Sequence, residues 1–199
     1  TKMKSRGGEP FMLEDAIQAT LEALGKDTTG RKALPTRELA WNVLCWQMLS
    51  VARTQNVKWN VDEWCRPESS GLYITYTNAR VYSALVAASS SHEKIMGIHN
   101  LEQIASKHHT SLRKDMKDID LTLAGWCEYA RHYHAEALKK MDPCVITHYV
   151  HDLARVLGKA YHAEKLDGGR LPFIVFTARA LMYLRAGMKG IGMFMPNEV

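Results

Sequence analysis

The chain has 199 residues, 46% of them hydrophobic and 24% charged, which is typical of a folded domain and argues against a disordered chain. No apolar run approaches the roughly 20 residues that cross a bilayer, so the sequence predicts no transmembrane segment. The net charge of +5 has the sign expected for a nucleic-acid partner, but it comes from only 26 basic against 21 acidic residues, and the lysines and arginines are spread along the chain. Any basic surface must therefore be assembled by folding.

The N-terminal part of the chain predicts two helices and a connector. In MLEDAIQATLEALG, apolar residues recur every three or four positions, and Gly25 stands where that helix is expected to end. In TRELAWNVLCWQMLSVAR, Thr36 is the predicted N-cap of a core helix. The stretch that follows contains Pro67 and a Ser-Ser-Gly turn signal, so it predicts an irregular connector anchored by Trp59 and Trp64.

The segment GLYITYTNARVYSAL predicts a third helix with two distinct faces. At about 100° per residue, Tyr73, Tyr76 and Arg80 fall within a narrow arc. A second arc is apolar and consists of Ile74, Val81 and Leu85. If the first arc is buried, it forms a structural hydrogen-bond network, because a buried arginine must be paired. If it is accessible, it is a face available to a ligand.

The C-terminal part predicts long helices and a bundle. After a short polar helical segment, LEQIASKHHTSLRKDMKD, come DIDLTLAGWCEYARHYHAEALKKM, DPCVITHYVHDLARVLGKAYHAEKL and IVFTARALMYLRAGMKGIG. Asp142 is the predicted N-cap of the second of these, with Pro143 at the first helical position. No convincing strand pattern appears, so we predict an all-α fold with a four- or five-helix bundle from Asp118 to Val199. The corresponding division is a connector half at 1–117 and the bundle at 118–199.

The sequence predicts no catalytic residue, no metal site and no cofactor. Its four cysteines, Cys45, Cys65, Cys127 and Cys144, lack C-x-x-C spacing and have apolar or aromatic neighbours. This pattern predicts free core thiols and an intracellular protein. His132 and His134 point apart on a helix and have no evident third partner for a metal. No serine, cysteine or carboxylate has the surroundings of a nucleophile or an acid-base pair.

Taken in order, these segments resemble the C-terminal half of class I arginyl-tRNA synthetases. KMKSRGGEPFMLEDAI is similar to the family's KMSKS-type loop and short helix, and LAWNVLCWQMLSVARTQNVKWNVDEW to the helix and connector that follow. YITYTNAR resembles a Tyr-x-Gln-Tyr-x-x-x-Arg helix. DPCVITHYVHDLARVLGKAY and TARALMYLRAGMKGIGMFMPNEV resemble the first and last helices of the DALR-type anticodon-binding domain. The resemblance is collinear over essentially the whole chain and implies a helical bundle like that domain.

The resemblance also implies an RNA-binding surface. By position, its residues are Tyr73, Tyr76, Arg80, Tyr161, Arg185 and Lys189. Aromatic rings stack on unpaired bases and cationic side chains neutralise phosphates, so these residue types suit an anticodon arm. For Arg185 and Lys189, which lie one turn apart, an ordinary solvated helix face is the alternative.

The sequence departs from the family pattern at several positions. Thr75 replaces a glutamine, Gly158 an asparagine, and Val199 a terminal methionine, and each change weakens the case for base-specific reading. The chain begins at Thr1 inside the loop motif, which suggests a processed form or a fragment. No Rossmann-type nucleotide-binding segment precedes it, so Lys2 and Lys4 form at most a degenerate loop, and this chain alone is not expected to be an enzyme.

Three functional hypotheses remain at this point. The first is a tRNA-binding module derived from arginyl-tRNA synthetase that lacks the catalytic domain and binds arginine-accepting tRNA. The second is the complete synthetase, seen only in part. The third is a repurposed domain that has lost RNA binding and acts as a structural subunit among the proteins of a larger assembly, for example a mitochondrial one. The cytoplasm and the mitochondrial matrix are both compatible with the sequence.

Overall fold

The computed structural model describes residues 12–26, 36–66, 68–89, 107, 109–166 and 169–196. Within these ranges the regular elements are α-helices and there is no strand, so the predicted all-α class is confirmed. In chain order the helices are α1 Leu13–Lys26, α2 Arg37–Leu49, α3 Val61–Trp64, α4 Ser70–Ser89, α5 His109–Lys114, α6 Asp118–Lys140, α7 Cys144–Ala163 and α8 Leu171–Gly190.

Local capping explains where several helices begin. Thr36 caps α2 as predicted, since its hydroxyl oxygen accepts a hydrogen bond from the Leu39 amide at 3.2 Å. The Asp142 carboxylate accepts from the Cys144 amide at 3.0 Å, but Pro143 takes the N-cap position, so α7 begins one residue later than predicted. The connector is less irregular than predicted, because Asn60 caps the short helix α3.

Among the described residues, four helices form most of the C-terminal bundle, and one of them comes from the N-terminal half. Helices α6, α7 and α8 pack on one another, and α4 packs against both α7 and α8. The apolar arc of α4, Ile74, Val81 and Leu85, is buried in the same core as Leu153 and Phe173. The expected four or five helices from Asp118 onward are therefore wrong for the described residues, which contain three there. The boundary at 117/118 remains a prediction.

Helix α8 is the most apolar helix of the bundle. Within the described ranges it is the one helix whose length and composition would allow it to cross a membrane, and 61% of the relevant window is buried inside the structure. Phe173, Ala180 and Leu184 on this helix are completely buried. Its apolar character is accounted for by packing against α6 and α7.

A second, smaller core lies in the N-terminal half. Helices α1, α2 and α3 pack around Leu24, Leu39, Val43 and Trp64. Leu72, near the start of α4, is also buried in this cluster. Helix α4 thus contributes one side to each core and is the element that joins them.

The segment 191–196, which follows α8, is held against α2 and α4 by side chains that bind its backbone. The Asn42 carboxamide donates to the Phe194 carbonyl at 3.0 Å and accepts from the Phe194 amide at 2.7 Å. Asn78 donates to the Pro196 carbonyl at 2.7 Å. Both asparagines are completely buried, so these bonds satisfy the Asn42 carboxamide and the Asn78 amide nitrogen, which would otherwise destabilise the core.

Candidate nucleic-acid interface

A small cavity of about 40 Å³ lies where α4 crosses α7. It is lined by Tyr73, Thr77, Arg80, Val81, Gly158, Tyr161 and His162. Three of the six residues predicted to contact RNA therefore meet at one place. The cavity holds about one or two water molecules, so a ligand as large as a nucleobase would rest at its mouth.

Helical periodicity accounts for this grouping. Tyr73 and Arg80 are seven residues apart, which places them on one face of α4, two turns from each other. Gly158 and Tyr161 are three residues apart and share a face of α7. Because α4 packs against α7, the two faces meet.

Tyr73 reaches across to the backbone of α7. Its hydroxyl donates to the Ala154 carbonyl at 3.5 Å and lies next to Gly158, where a Cβ atom would stand 2.5 Å from the hydroxyl oxygen. Arg80 is exposed. The interpretation of this arc as a buried tyrosine–arginine network is therefore wrong, because Arg80 is exposed. The Tyr73 hydroxyl forms its hydrogen bond with a backbone carbonyl.

The described residues that line the cavity are basic rather than acidic. They include Arg80 and His162, both exposed, and none of them carries a carboxylate. Arg155 and Lys159 are exposed on the adjoining face of α7, where they fall within about 60° of His162 around the helix axis. Tyr161 is half-buried, and its ring meets the His162 ring edge to face at 5.6 Å between centroids. Sequence reasoning did not single out His162. Its spacing from Arg155 and Lys159, which places the three side chains on one face of α7, could have indicated it.

Tyr76 lies away from this cavity. It is half-buried and packs against the N-terminal core together with Trp41, Val57 and Val61. Its neighbour Thr75 is completely buried, donates to the Gly71 carbonyl at 2.8 Å and accepts from the Asn42 carboxamide. The departure at position 75 therefore lies in the core, where its side chain is closed to a ligand.

The two cations predicted on the final helix have different surroundings. Arg185 is half-buried: its guanidinium lies 4.4 Å from the centroid of the Tyr82 ring and donates to the Met195 carbonyl at 3.3 Å. Lys189 is exposed one turn later. Neither residue lines the cavity between α4 and α7.

A larger and more open cavity, of about 620 Å³, lies between the end of α2 and the connector. Its charged lining residues, Lys58, Arg66, Glu63 and Glu68, are balanced in sign. The Glu63 carboxylate also accepts a hydrogen bond from the Asn60 carboxamide at 2.8 Å. This cavity therefore lacks the one-signed charge that attracts an anion such as RNA.

Burial disfavours the reactive thiolate form of three of the four cysteines. All four cysteines are free, as predicted, and desolvation by burial raises the pKa of Cys45 and of Cys127 to about 11. Burial also raises the pKa of Cys144. A thiol with such a pKa is protonated at neutral pH and reacts slowly. Lys2 and Lys4, interpreted from the sequence as a degenerate loop, lie outside the described residues.

Comparisons with known proteins agree with the resemblance that the order of the sequence motifs indicated. No protein-family model matches the chain. The arginine–tRNA ligase of Exiguobacterium sp. (strain ATCC BAA-1283 / AT1b) is 22% identical over 209 aligned positions, which cover 100% of this chain and 34% of that protein. The structure of Thermus thermophilus arginyl-tRNA synthetase matches with a TM-score of 0.66 at 17% identity, over 94% of this chain and 31% of that one. The chain thus spans about a third of these proteins, and over that third it resembles arginyl-tRNA synthetase in sequence and has its helical fold.

Proposed function

We propose that this chain is a tRNA-binding module and that it contacts tRNA at the surface around the cavity between α4 and α7. The observation that carries the proposal is the grouping of Tyr73, Arg80, Tyr161 and His162 around one cavity, where no residue of the lining that the structure describes carries a carboxylate. An aromatic ring for stacking and an exposed cation for phosphate are the two elements that single-stranded RNA requires. Arginine-accepting tRNA is the first ligand to test, because the relative and the solved structure are named for arginine and tRNA.

The exposed cations of α7 extend this surface along one direction. Arg155 and Lys159 follow one another at one-turn spacing and lead to His162 at the cavity. Each phosphate neutralised by such a side chain releases about 0.9 counterion from duplex DNA and about 0.7 from a single strand. Binding through two or three of these contacts should therefore weaken measurably as the salt concentration rises.

Binding is measured by fluorescence anisotropy with labelled arginine-accepting tRNA and an unrelated tRNA, each at two salt concentrations. Tyr161→Ala removes the stacking surface and is expected to weaken binding by about 1–3 kcal/mol. Its matched control is Tyr129→Ala, since Tyr129 is 55% exposed on α6 and does not line the cavity. The control should change tRNA affinity little.

Arg80→Gln tests the phosphate contact separately. It is expected to lower the slope of log K against log salt by about 0.7–0.9, with similar effects on both tRNAs. The control is Lys139→Gln, which removes the same charge from an exposed position at the end of α6. A slope unchanged in Arg80→Gln, or changed equally in Lys139→Gln, would place the phosphate contacts elsewhere.

The absence of measurable tRNA affinity at physiological salt would refute the proposal. In that case the protein-binding hypothesis, a structural subunit of a larger assembly, would take its place. Equal and weak binding to both tRNAs, insensitive to Tyr161→Ala, would mean non-specific attraction to a basic surface and would likewise refute binding at this cavity.

A further inference from the structure

Gly158 is an unusual residue for its position. It lies in the interior of α7, where glycine is less favourable than alanine. The backbone there has no positive φ that would require glycine, since Met141 and Gly192 are the described residues with positive φ. Backbone conformation therefore does not explain why position 158 is a glycine, which leaves the space around its Cα atom as the explanation.

That space is occupied by the Tyr73 hydroxyl. A Cβ atom at position 158 would stand 2.5 Å from the tyrosine oxygen but 3.6 Å from Cζ. Apart from the neighbouring residues and backbone of α7 itself, no other atom of the described residues lies within 4 Å. The first distance is far inside van der Waals contact, whereas the second is an ordinary contact. The steric conflict therefore involves one atom, the phenolic oxygen.

The same oxygen is bonded to α7, because it donates to the Ala154 carbonyl one turn before Gly158. Tyr73 also packs against the bundle core, which limits how far its ring can shift. A side chain at position 158 would have to break the bond to Ala154 or push α4 away from α7. Either movement alters the cavity, since Tyr73 and Gly158 line it together with Arg80 and Tyr161.

We propose that Gly158 and Tyr73 form a positioning pair that sets the approach of α4 to α7 and thereby holds Arg80 and Tyr161 at the separation used for RNA; this inference rests on the proposed function. Gly158 itself does not contact the RNA. It acts through Tyr73, because the absence of a side chain at position 158 leaves room for the tyrosine hydroxyl. Glycine at this position thus lowers the intrinsic stability of α7 and in exchange permits the close helix contact.

The test is a double-mutant cycle that compares wild type, Gly158→Ala, Tyr73→Phe and the double variant. Tyr73→Phe removes the phenolic oxygen, the one atom that conflicts with a Cβ atom at position 158. Gly125→Ala is the control for helix propensity, because in the part of the chain that the structure describes a Cβ atom there meets nothing within 4 Å. It should raise the urea midpoint by about 0.5 M. Gly158→Ala should lower the midpoint in the wild-type background and raise it in the Tyr73→Phe background.

Affinity for arginine-accepting tRNA distinguishes a positioning role from a merely structural one, because a merely structural role would leave this affinity unchanged. Gly158→Ala should weaken binding about fivefold in the wild-type background. In the Tyr73→Phe background it should leave the affinity equal to that of Tyr73→Phe alone. Val150→Ala serves as a control for stability, since Val150 is completely buried on α7 outside the cavity, and it should lower the midpoint without changing affinity.

The possible failures are distinguishable. If wild type binds no tRNA, the proposed function fails, while the urea midpoints still show whether the steric pair exists. If wild type binds tRNA but Gly158→Ala raises the midpoint as Gly125→Ala does, the pair does not exist and the inference is overturned. If Val150→Ala weakens binding as much as Gly158→Ala, the loss reflects general destabilisation, and the positioning role is again overturned.

Discussion

Arg170→Ala should destabilise the bundle more than the loss of any exposed arginine. Arg170 is the N-cap residue of α8, and its guanidinium forms two hydrogen bonds with the Glu164 carboxylate, at 2.7 and 2.9 Å. It also donates to the Asp120 carboxylate at 2.9 Å. Asp120 lies in the first turn of α6 and its side chain is 0% exposed. One arginine therefore connects α6, the end of α7 and the start of α8.

The expected loss follows from the burial of Asp120. Removing one partner of a buried ion pair costs about 3–5 kcal/mol, because the remaining charge is left without compensation. Asp120 would keep one hydrogen bond, from the Lys117 amide at 2.8 Å, so we expect the low end, about 3 kcal/mol. With a urea m-value of roughly 2 kcal/mol/M, the midpoint should fall by about 1.5 M.

The assay is urea denaturation followed by far-ultraviolet circular dichroism. The matched control is Arg37→Ala, because Arg37 also pairs with a carboxylate, Glu14, but both side chains are more than 60% exposed. The control should shift the midpoint only slightly, since exposed ion pairs are screened by solvent. A midpoint shift in Arg170→Ala no larger than that in Arg37→Ala would refute the argument from burial.

The ion pair between Arg170 and Glu164 predicts that the stability of the fold depends on pH. The hydrogen bond from Arg170 lowers the pKa of Glu164 below its ordinary value. Because the folded-state pKa is depressed, the pair stabilises the fold above about pH 4.5 and loses that contribution as the pH falls through the folded-state value. Wild type should therefore lose more stability than Arg170→Ala between about pH 6 and pH 3.5. Parallel losses in the two proteins would contradict this assignment.

Three further predictions concern other parts of the molecule. Arg185→Ala should cost about 1 kcal/mol in urea denaturation, because it removes the contact with Tyr82, and should leave the salt slope of tRNA binding unchanged. Asn42→Ala should accelerate hydrogen exchange at the Phe194 amide, whose acceptor it removes, and unchanged exchange would mean that the segment after α8 is held by other contacts. Cys127, with its pKa near 11, should be alkylated by iodoacetamide about a hundredfold more slowly in the native than in the unfolded protein, as peptide mass spectrometry would show.

Local features of the sequence were sufficient to predict the helices and several of their ends. Thr36 and Asp142 are small polar residues whose side chains bind amides two or three positions later, so their effect can be read without knowledge of the rest of the fold. Helical periodicity also identified the buried arc of α4. The order of the motifs predicted the likeness to arginyl-tRNA synthetase, which the comparisons confirm.

Contacts between distant segments were decided by the tertiary structure alone. Tyr73 and Tyr76 share one arc of α4 in projection, yet α4 lies between two cores, so one tyrosine packs against α7 and the other against the N-terminal cluster. Arg185 reads as a surface cation, but α4 brings Tyr82 beneath it. Gly158 reads as a weak point of a helix until the position of the Tyr73 hydroxyl is known. Periodicity defines the face on which a side chain lies, whereas only the packing of helices far apart in sequence determines what that face meets.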